Sequence, residues 1–161
     1  MVGFQLAQIN IGRLLAPYAS PLIAEFVANL AQINASADIH PGFVWRLTGA
    51  GDDATDIQAF DDPLVAMNMS VWVSIDALAA FAYRSAHRDF MRRRREWFEA
   101  PAEAYMALWW VPAGHHPTPT EGRERLESLR GDGPTAFAFS FSQPFAAPGV
   151  QSIESILDEC A

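Results

Sequence analysis

His87 and Arg94 stand seven residues apart in the stretch YRSAHRDFMRRRREWF, residues 83–98. Seven residues are close to two helical turns, so on a helix both side chains fall on one face. An imidazole takes or gives a proton near neutral pH, and a guanidinium stays charged and suits an anion or an enolate. With a helix over about residues 85–98, turning about 100° per residue, Phe90, Met91, Trp97 and Phe98 share that face. Four of the six residues are apolar or aromatic, so the face is expected to point inward. Arg88, Arg92 and Arg95 fall away from it beside Asp89 and Glu96, with Arg93 on the other flank. The four consecutive arginines are thus dispersed around a helix, and most of them belong to a solvated face. The inward pair has two readings: either Arg94 is tied to an internal carboxylate or carbonyl and His87 is a satisfied core residue, or the two line a cavity.

The elements that must position this face can be read from periodicity. FQLAQINI, residues 4–11, alternates as a strand, with Phe4, Leu6, Gln8 and Asn10 on one side. Ser20 as N-cap and Pro21 in the first turn open a helix over residues 20–37, in which Ile23, Phe26, Val27, Leu30 and Ile33 recur at helical spacing. FVWRLTG, residues 43–49, is a second strand. LVAMNMSVWV, residues 64–73, is a third, with Met67, Met69, Val71 and Val73 on one face and Asn68, Ser70 and Trp72 on the other. Ser74 caps a helix beginning at Ile75, the stretch 83–98 continues it, and AYMALWWVP, residues 104–112, is the fourth strand. The fold class is therefore α+β, with the ferredoxin-like order β-α-β-β-α-β.

The whole chain, residues 1–161, reads as one such domain, with 113–161 as an extension of it. In that extension Thr118, Pro119 and Glu121 open a helix with a capping box. Only Leu126 and Leu129 give this helix an apolar stripe, so it is expected to pack on the surface. AFAFSFSQPF is expected to add an edge strand, and the last dozen residues to be poorly ordered. Helices cover one face of the sheet. The other, nearly free of charge, is expected to be covered by a second subunit, which makes the protein a homodimer.

Composition excludes several classes of function. Half of the residues are hydrophobic and the formal net charge is −8, so the molecule repels phosphate backbones and no nucleic-acid partner is expected. The single cysteine, Cys160, forms neither an internal disulfide nor a cysteine-based metal site. No signal peptide and no apolar run of about 18 residues is present, so no membrane partner is expected and the protein is expected in the cytoplasm. His115 and His116 adjoin in one loop and His40 sits in another turn, which gives no converging metal set. Asp61 and Asp62 fit a turn better than catalysis.

At AFDDP, SVW-S-DAL, YRSAHR-----RREWF, LWWVPAGH-PT and QPF the sequence resembles an uncharacterised bacterial family, the domain of unknown function DUF3291, from about residue 4 to residue 148. That family is similar to the dimeric α/β-barrel superfamily, which includes antibiotic-biosynthesis monooxygenases and haem-degrading monooxygenases. The resemblance implies two ferredoxin-like subunits whose sheets close a barrel, with a pocket between each sheet and its own helices. With the inward pair, it points to a cofactor-independent monooxygenase-like enzyme acting on a small aromatic or polyketide-like ligand. In that scheme His87 moves a proton, Asn10 orients a substrate oxygen and Arg94 stabilises negative charge, while Trp72, Asn68, Phe81, Tyr83 and Met91 bind the substrate. Haem-degrading members pair a first-strand Asn and a second-helix His with an aromatic on that helix. Asn10 and His87 match, whereas Trp72 lies on the strand before and only Phe81 or Tyr83 is on the helix. No cofactor is therefore expected, with haem as a lesser alternative. The competing readings are a non-catalytic ligand-binding or regulatory dimer, a haem-binding or haem-degrading relative, and a fully packed core with no pocket.

Overall fold

The alternating segments form a four-stranded antiparallel sheet in this computed structural model, which describes residues 3–150. The strands are β1 (Phe4–Arg13), β2 (Phe43–Arg46), β3 (Val65–Trp72) and β4 (Met106–Pro112), in the order β2-β3-β1-β4. Every neighbouring pair is antiparallel, with Gln8 opposite Ser70 and Leu108, and Asn10 opposite Asn68 and Met106. This is the ferredoxin-like arrangement. The expectations for Cys160 and for the order of the last dozen residues lie outside the described residues or at their edge. No helix among the described residues is long and apolar enough to cross a membrane.

On the first side of the sheet lie α1 (Ala24–Asp38), entered through a 3₁₀ turn at Pro21–Ile23, and α2 (Ile75–Arg84). Their starts are fixed by side-chain oxygens: Ser20 Oγ accepts from the Leu22 amide at 3.3 Å, and Ser74 Oγ from the Ala77 amide at 3.1 Å. The stretch 85–98 is not one helix. Ser85 is extended and ends α2; α3 (His87–Arg92) follows, then a 3₁₀ turn at Arg94–Glu96, and Phe98 bridges back to Leu14.

The largest correction concerns the second face of the sheet. Ala7, Ile9, Ile11, Met67, Met69, Val71, Ala107, Trp109 and Val111 are buried there within one chain. Their cover is α4 (Pro119–Asp132), through Leu126 and Leu129, joined by Leu47, Ile57 and Phe60 from the loop after β2. Two leucines and a glycine suffice because Gly122 lets the helix approach closely: a Cβ there would lie 2.7 Å from Met69 Sδ and 3.0 Å from Ile9 Cδ1. Thr118 Oγ1 caps α4 by accepting from the Glu121 amide at 3.1 Å. The Glu121 carboxylate turns away from the expected capping box and accepts from Trp109 Nε1 at 2.9 Å. α4 is therefore a core element, and a bare sheet face no longer argues for a second subunit.

The expected edge strand is also absent among the described residues. Phe139 makes a single bridge to Leu108 beside β4, with both backbone hydrogen bonds at 2.9 Å. Phe139 is buried with Leu6 and Leu108 on the helix side, whereas Ala138 joins the core under α4, so the chain crosses the sheet edge at this point.

Candidate functional site

Between the sheet and its helices lies a cavity of about 160 Å³. Its floor is the helix-side face of β1 and β3, where period-two alternation places Gln8, Asn10, Asn68, Ser70 and Trp72 side by side. Its far wall is the stretch 85–98. His87, Phe90, Met91, Arg94, Trp97 and Phe98 all line the cavity, while Arg88, Arg92 and Arg95 are exposed. The helical face read from sequence survives the break in the helix. A 3₁₀ turn advances about 120° per residue instead of about 100°, and over one turn that drift is smaller than the width of the face. Arg93 turns outward to Glu25 at 2.7 Å and Glu96 at 2.8 Å.

The floor carries an ordered hydrogen-bond ladder. Gln8, 2% exposed, donates from Nε2 to Asn68 Oδ1 at 2.7 Å and to Ser70 Oγ at 2.9 Å, and accepts from Asn10 Nδ2 at 3.1 Å. Trp72 Nε1 donates to the same Ser70 oxygen at 2.8 Å. Both Gln8 donors and its carbonyl are thereby satisfied, as a buried amide requires. Ser70 accepts twice, and its own proton remains to donate.

His87 is half-buried, with its ring 4.8 Å from that of Phe81, which in turn stacks on Trp72 at 5.2 Å. Burial pushes the imidazole below its ordinary pKa and outweighs the opposing influence of the Ala82 carbonyl, which favours the neutral ring. Its Nδ1 is buried without a hydrogen-bond partner among the described residues. Arg94 donates from one terminal nitrogen to the Ile11 carbonyl at 2.9 Å and lies over the rings of Phe98 and Tyr105. Its Nε has no partner among the described residues, and burial works against its charge. The guanidinium occupies space left open by Gly12, where a Cβ would lie 2.8 Å from it.

Of the residues expected to bind a substrate, Trp72, Asn68, Phe81 and Met91 line the cavity, and Tyr83 does not. Tyr83 is exposed and meets Phe141 edge-on at 5.5 Å. Two positions on from Phe81, it lies about 200° around α2, so both rings could not face one cavity. Gln8 and Ser70 went unassigned in the sequence, although each shares a strand face with an assigned residue. Tyr18, Asp53 and Thr55 join the lining from loops, where no periodicity points to them; burial, together with the Asp53 charge, pushes the Tyr18 phenol up to about 12.

His40 packs edge-on against Trp72 at 5.8 Å and Phe81 at 5.5 Å, behind the same aromatic cluster as His87, whereas His115 and His116 lie elsewhere. His115 Nε2 meets Glu121 Oε2 at 2.7 Å, and His116 stacks on Trp45 at 4.8 Å. No group of three metal-capable side chains converges among the described residues. Asp62 serves the turn before β3: its carboxylate accepts from the Leu64 amide at 2.9 Å and from Arg13 Nε at 2.7 Å.

A family model described as a domain of unknown function, DUF3291, matches residues 5–155. No curated protein is significantly similar to the chain. Among solved structures, a mutant of SnoaB, a cofactor-independent oxygenase from Streptomyces nogalater, is 17% identical with a TM-score of 0.45, over 70% of this chain and 95% of that one. A protein from Chloroflexus aurantiacus, described as a candidate antibiotic-biosynthesis monooxygenase, is 22% identical with a TM-score of 0.44, over 70% and 97%. A protein of unknown function from Nitrosomonas europaea is 12% identical with a TM-score of 0.44, over 73% and 97%. Likenesses at these identities and TM-scores carry no function from one chain to another.

Proposed function

The chain belongs to the DUF3291 family, a domain of unknown function, and from that premise we propose that its cavity binds a small aromatic molecule on which His87 acts as a general base. The observation that carries the reading is the His87 ring itself. It packs on Phe81 at the cavity wall, and its burial favours the neutral form that a general base requires. Every residue invoked belongs to one chain.

The lining suits one or two fused rings. Trp72, Phe81, Phe90 and Phe98 supply aromatic walls, and the ladder on β1 and β3 supplies fixed polar groups. A volume of about 160 Å³ falls below the roughly 300–1,000 Å³ of drug-sized sites, which favours such a ligand over a haem macrocycle. The chemistry this supports is removal of a phenol or enol proton by neutral His87, with Asn10 orienting the substrate oxygen and Arg94 supplying positive charge. Dioxygen then converts the activated CH₂ carbon to C=O and releases one water, with no redox cofactor in the balance. A cytoplasmic homodimer remains part of this proposal only if a surface other than the face under α4 makes the contact.

Oxygen uptake with anthrone and 1-naphthol tests the reading. Wild-type protein should consume oxygen and form the corresponding ketone or quinone, and His87→Ala should reduce the rate by about 10²–10⁴-fold while keeping the fold. Unchanged turnover in His87→Ala would remove His87 from the mechanism. Saturable binding without oxygen uptake would leave a ligand-binding protein without this chemistry.

A further inference from the structure

We propose that the ligand is an acid, its carboxylate held by Arg94 at one end of the cavity and an oxygen at its other end read by the Ser70 hydroxyl. The proposal rests on the reading of the cavity as a small-molecule site and adds the ligand's charge, polarity pattern and length.

Arg94 is the first ground. Arg13, Arg46, Arg93, Arg123, Arg125 and Arg130 each face a carboxylate. Arg94 is half-buried and makes no ion pair among the described residues; its one hydrogen bond goes to a carbonyl and its Nε goes unused. A guanidinium does not lose its proton in a protein, so a buried one without counter-charge is costly. A carboxylate reaching the terminal N–H groups from the cavity supplies the missing counter-charge.

The rest of the lining agrees. Arg46 and Arg94 both line the cavity, and Arg46 is already paired with Asp38 and Asp52, which leaves Arg94 as the lining guanidinium without an ion pair among the described residues.

Ser70 is the second, independent ground. Its oxygen accepts from Gln8 Nε2 and Trp72 Nε1, so its hydroxyl is an obligate donor for any third partner. It has no acceptor among the described residues, and it lies 6% exposed in the cavity lining. A ligand carbonyl or hydroxyl oxygen completes it.

Strand register fixes the spacing. Ser70 stands opposite Gln8, whereas the Arg94 guanidinium sits at Ile11 and Gly12. Three to four residues of strand span roughly 10–13 Å at about 3.3 Å each. That length fits two fused rings with a carboxylate at one end and an oxygen substituent at the other. His87, linked through Phe81 to Trp72, lies toward the Ser70 end, so with an acidic ligand the Arg94 charge is spent on anchoring the carboxylate rather than on the oxygen that exchanges a proton at the opposite end.

Calorimetry on the full chain with 2-naphthoate, its neutral isostere 2-naphthamide, and 6-hydroxy-2-naphthoate tests this. The acid should bind at least tenfold tighter than the amide, with a preference that weakens as salt rises. Arg94→Gln should erase that preference and Arg94→Lys should keep part of it, so a poorly folding glutamine variant leaves the charge testable. Ser70→Ala should remove the gain from the 6-hydroxyl group and leave the acid-to-amide ratio intact. Equal binding of acid and amide, or a preference that survives Arg94→Gln, overturns the anionic ligand while the small-molecule site stands. A 6-hydroxyl gain that survives Ser70→Ala overturns the role of Ser70. No saturable binding of any of the three at millimolar concentration overturns the site itself.

Discussion

At the scale of single residues, Gln8 explains how a side chain directs a site without reaching into it. Both of its N–H groups and its carbonyl are consumed by Asn68, Ser70 and Asn10, and it is 2% exposed. Gln8→Leu keeps the volume and removes three hydrogen bonds, leaving Asn10 without its short partner and Ser70 with one donor. A loss of about 1–3 kcal/mol is expected in urea unfolding, because groups near or in the buried ladder become unsatisfied. His87 gives the second residue-scale prediction. Its folded pKa is lowered by burial, so below the ordinary histidine value near 6.5 the unfolded chain binds the proton more readily than the folded one. The stability His87 contributes is thus fully present above about pH 6.5 and is lost as pH falls through the lowered folded value. Melting temperatures between pH 7.5 and 5 should fall more steeply for the wild type than for His87→Phe. Parallel curves would mean that His87 is not buried in its neutral form.

At the scale of elements, what was legible in the sequence follows from what periodicity encodes. The alternation of β1 and β3 separates Met67, Met69 and Val71, which enter the core under α4, from Asn68, Ser70 and Trp72, which face the cavity. The inward face of residues 85–98 was legible for the same reason, although the helix break was not. Ser85 leaves helical geometry by directing its hydroxyl to the Phe81 carbonyl and the His87 amide, a local choice that no hydrophobic pattern records. α4 was misread because two leucines in fourteen residues look like a surface helix. Its burial depends on Gly122, whose missing side chain carries no periodic signal. Gly122→Ala sets two effects against each other. Helix propensity favours alanine by about 1 kcal/mol. The new Cβ would lie 2.7 Å from Met69 Sδ, and Met69 is fully buried, so overpacking should cost about 1–3 kcal/mol. A net destabilisation in urea is expected, and a gain in stability would mean that α4 can lift from the sheet at little cost.

At the scale of the whole molecule, the docking of α4 bears on assembly more than any surface feature does. A barrel closed by two sheets from two subunits needs the helix-free face of each sheet for its interior. Here Ile9, Met69 and Trp109 on that face are fully buried by the chain's own Leu126 and Leu129. Burying that face once excludes burying it again, so α4 and a face-to-face partner compete for the same apolar area. At roughly 25 cal/mol per Å² the covered face favours the intramolecular helix, whose local concentration does not depend on dilution. Light scattering of the wild type should therefore show one chain over a broad concentration range, or a dimer in which α4 stays docked. Leu126→Asp with Leu129→Asp places two carboxylates against that face, undocks α4 and exposes the apolar sheet, so this variant should self-associate in a concentration-dependent way. Hydrogen exchange separates the cases. Amides of β4 and α4 should be protected in the dilute wild type, and protection of α4 should be lost in the double variant. If the wild type is a dimer whose α4 amides exchange freely while the sheet stays protected, a partner rather than α4 covers the face, and the self-covered subunit is wrong.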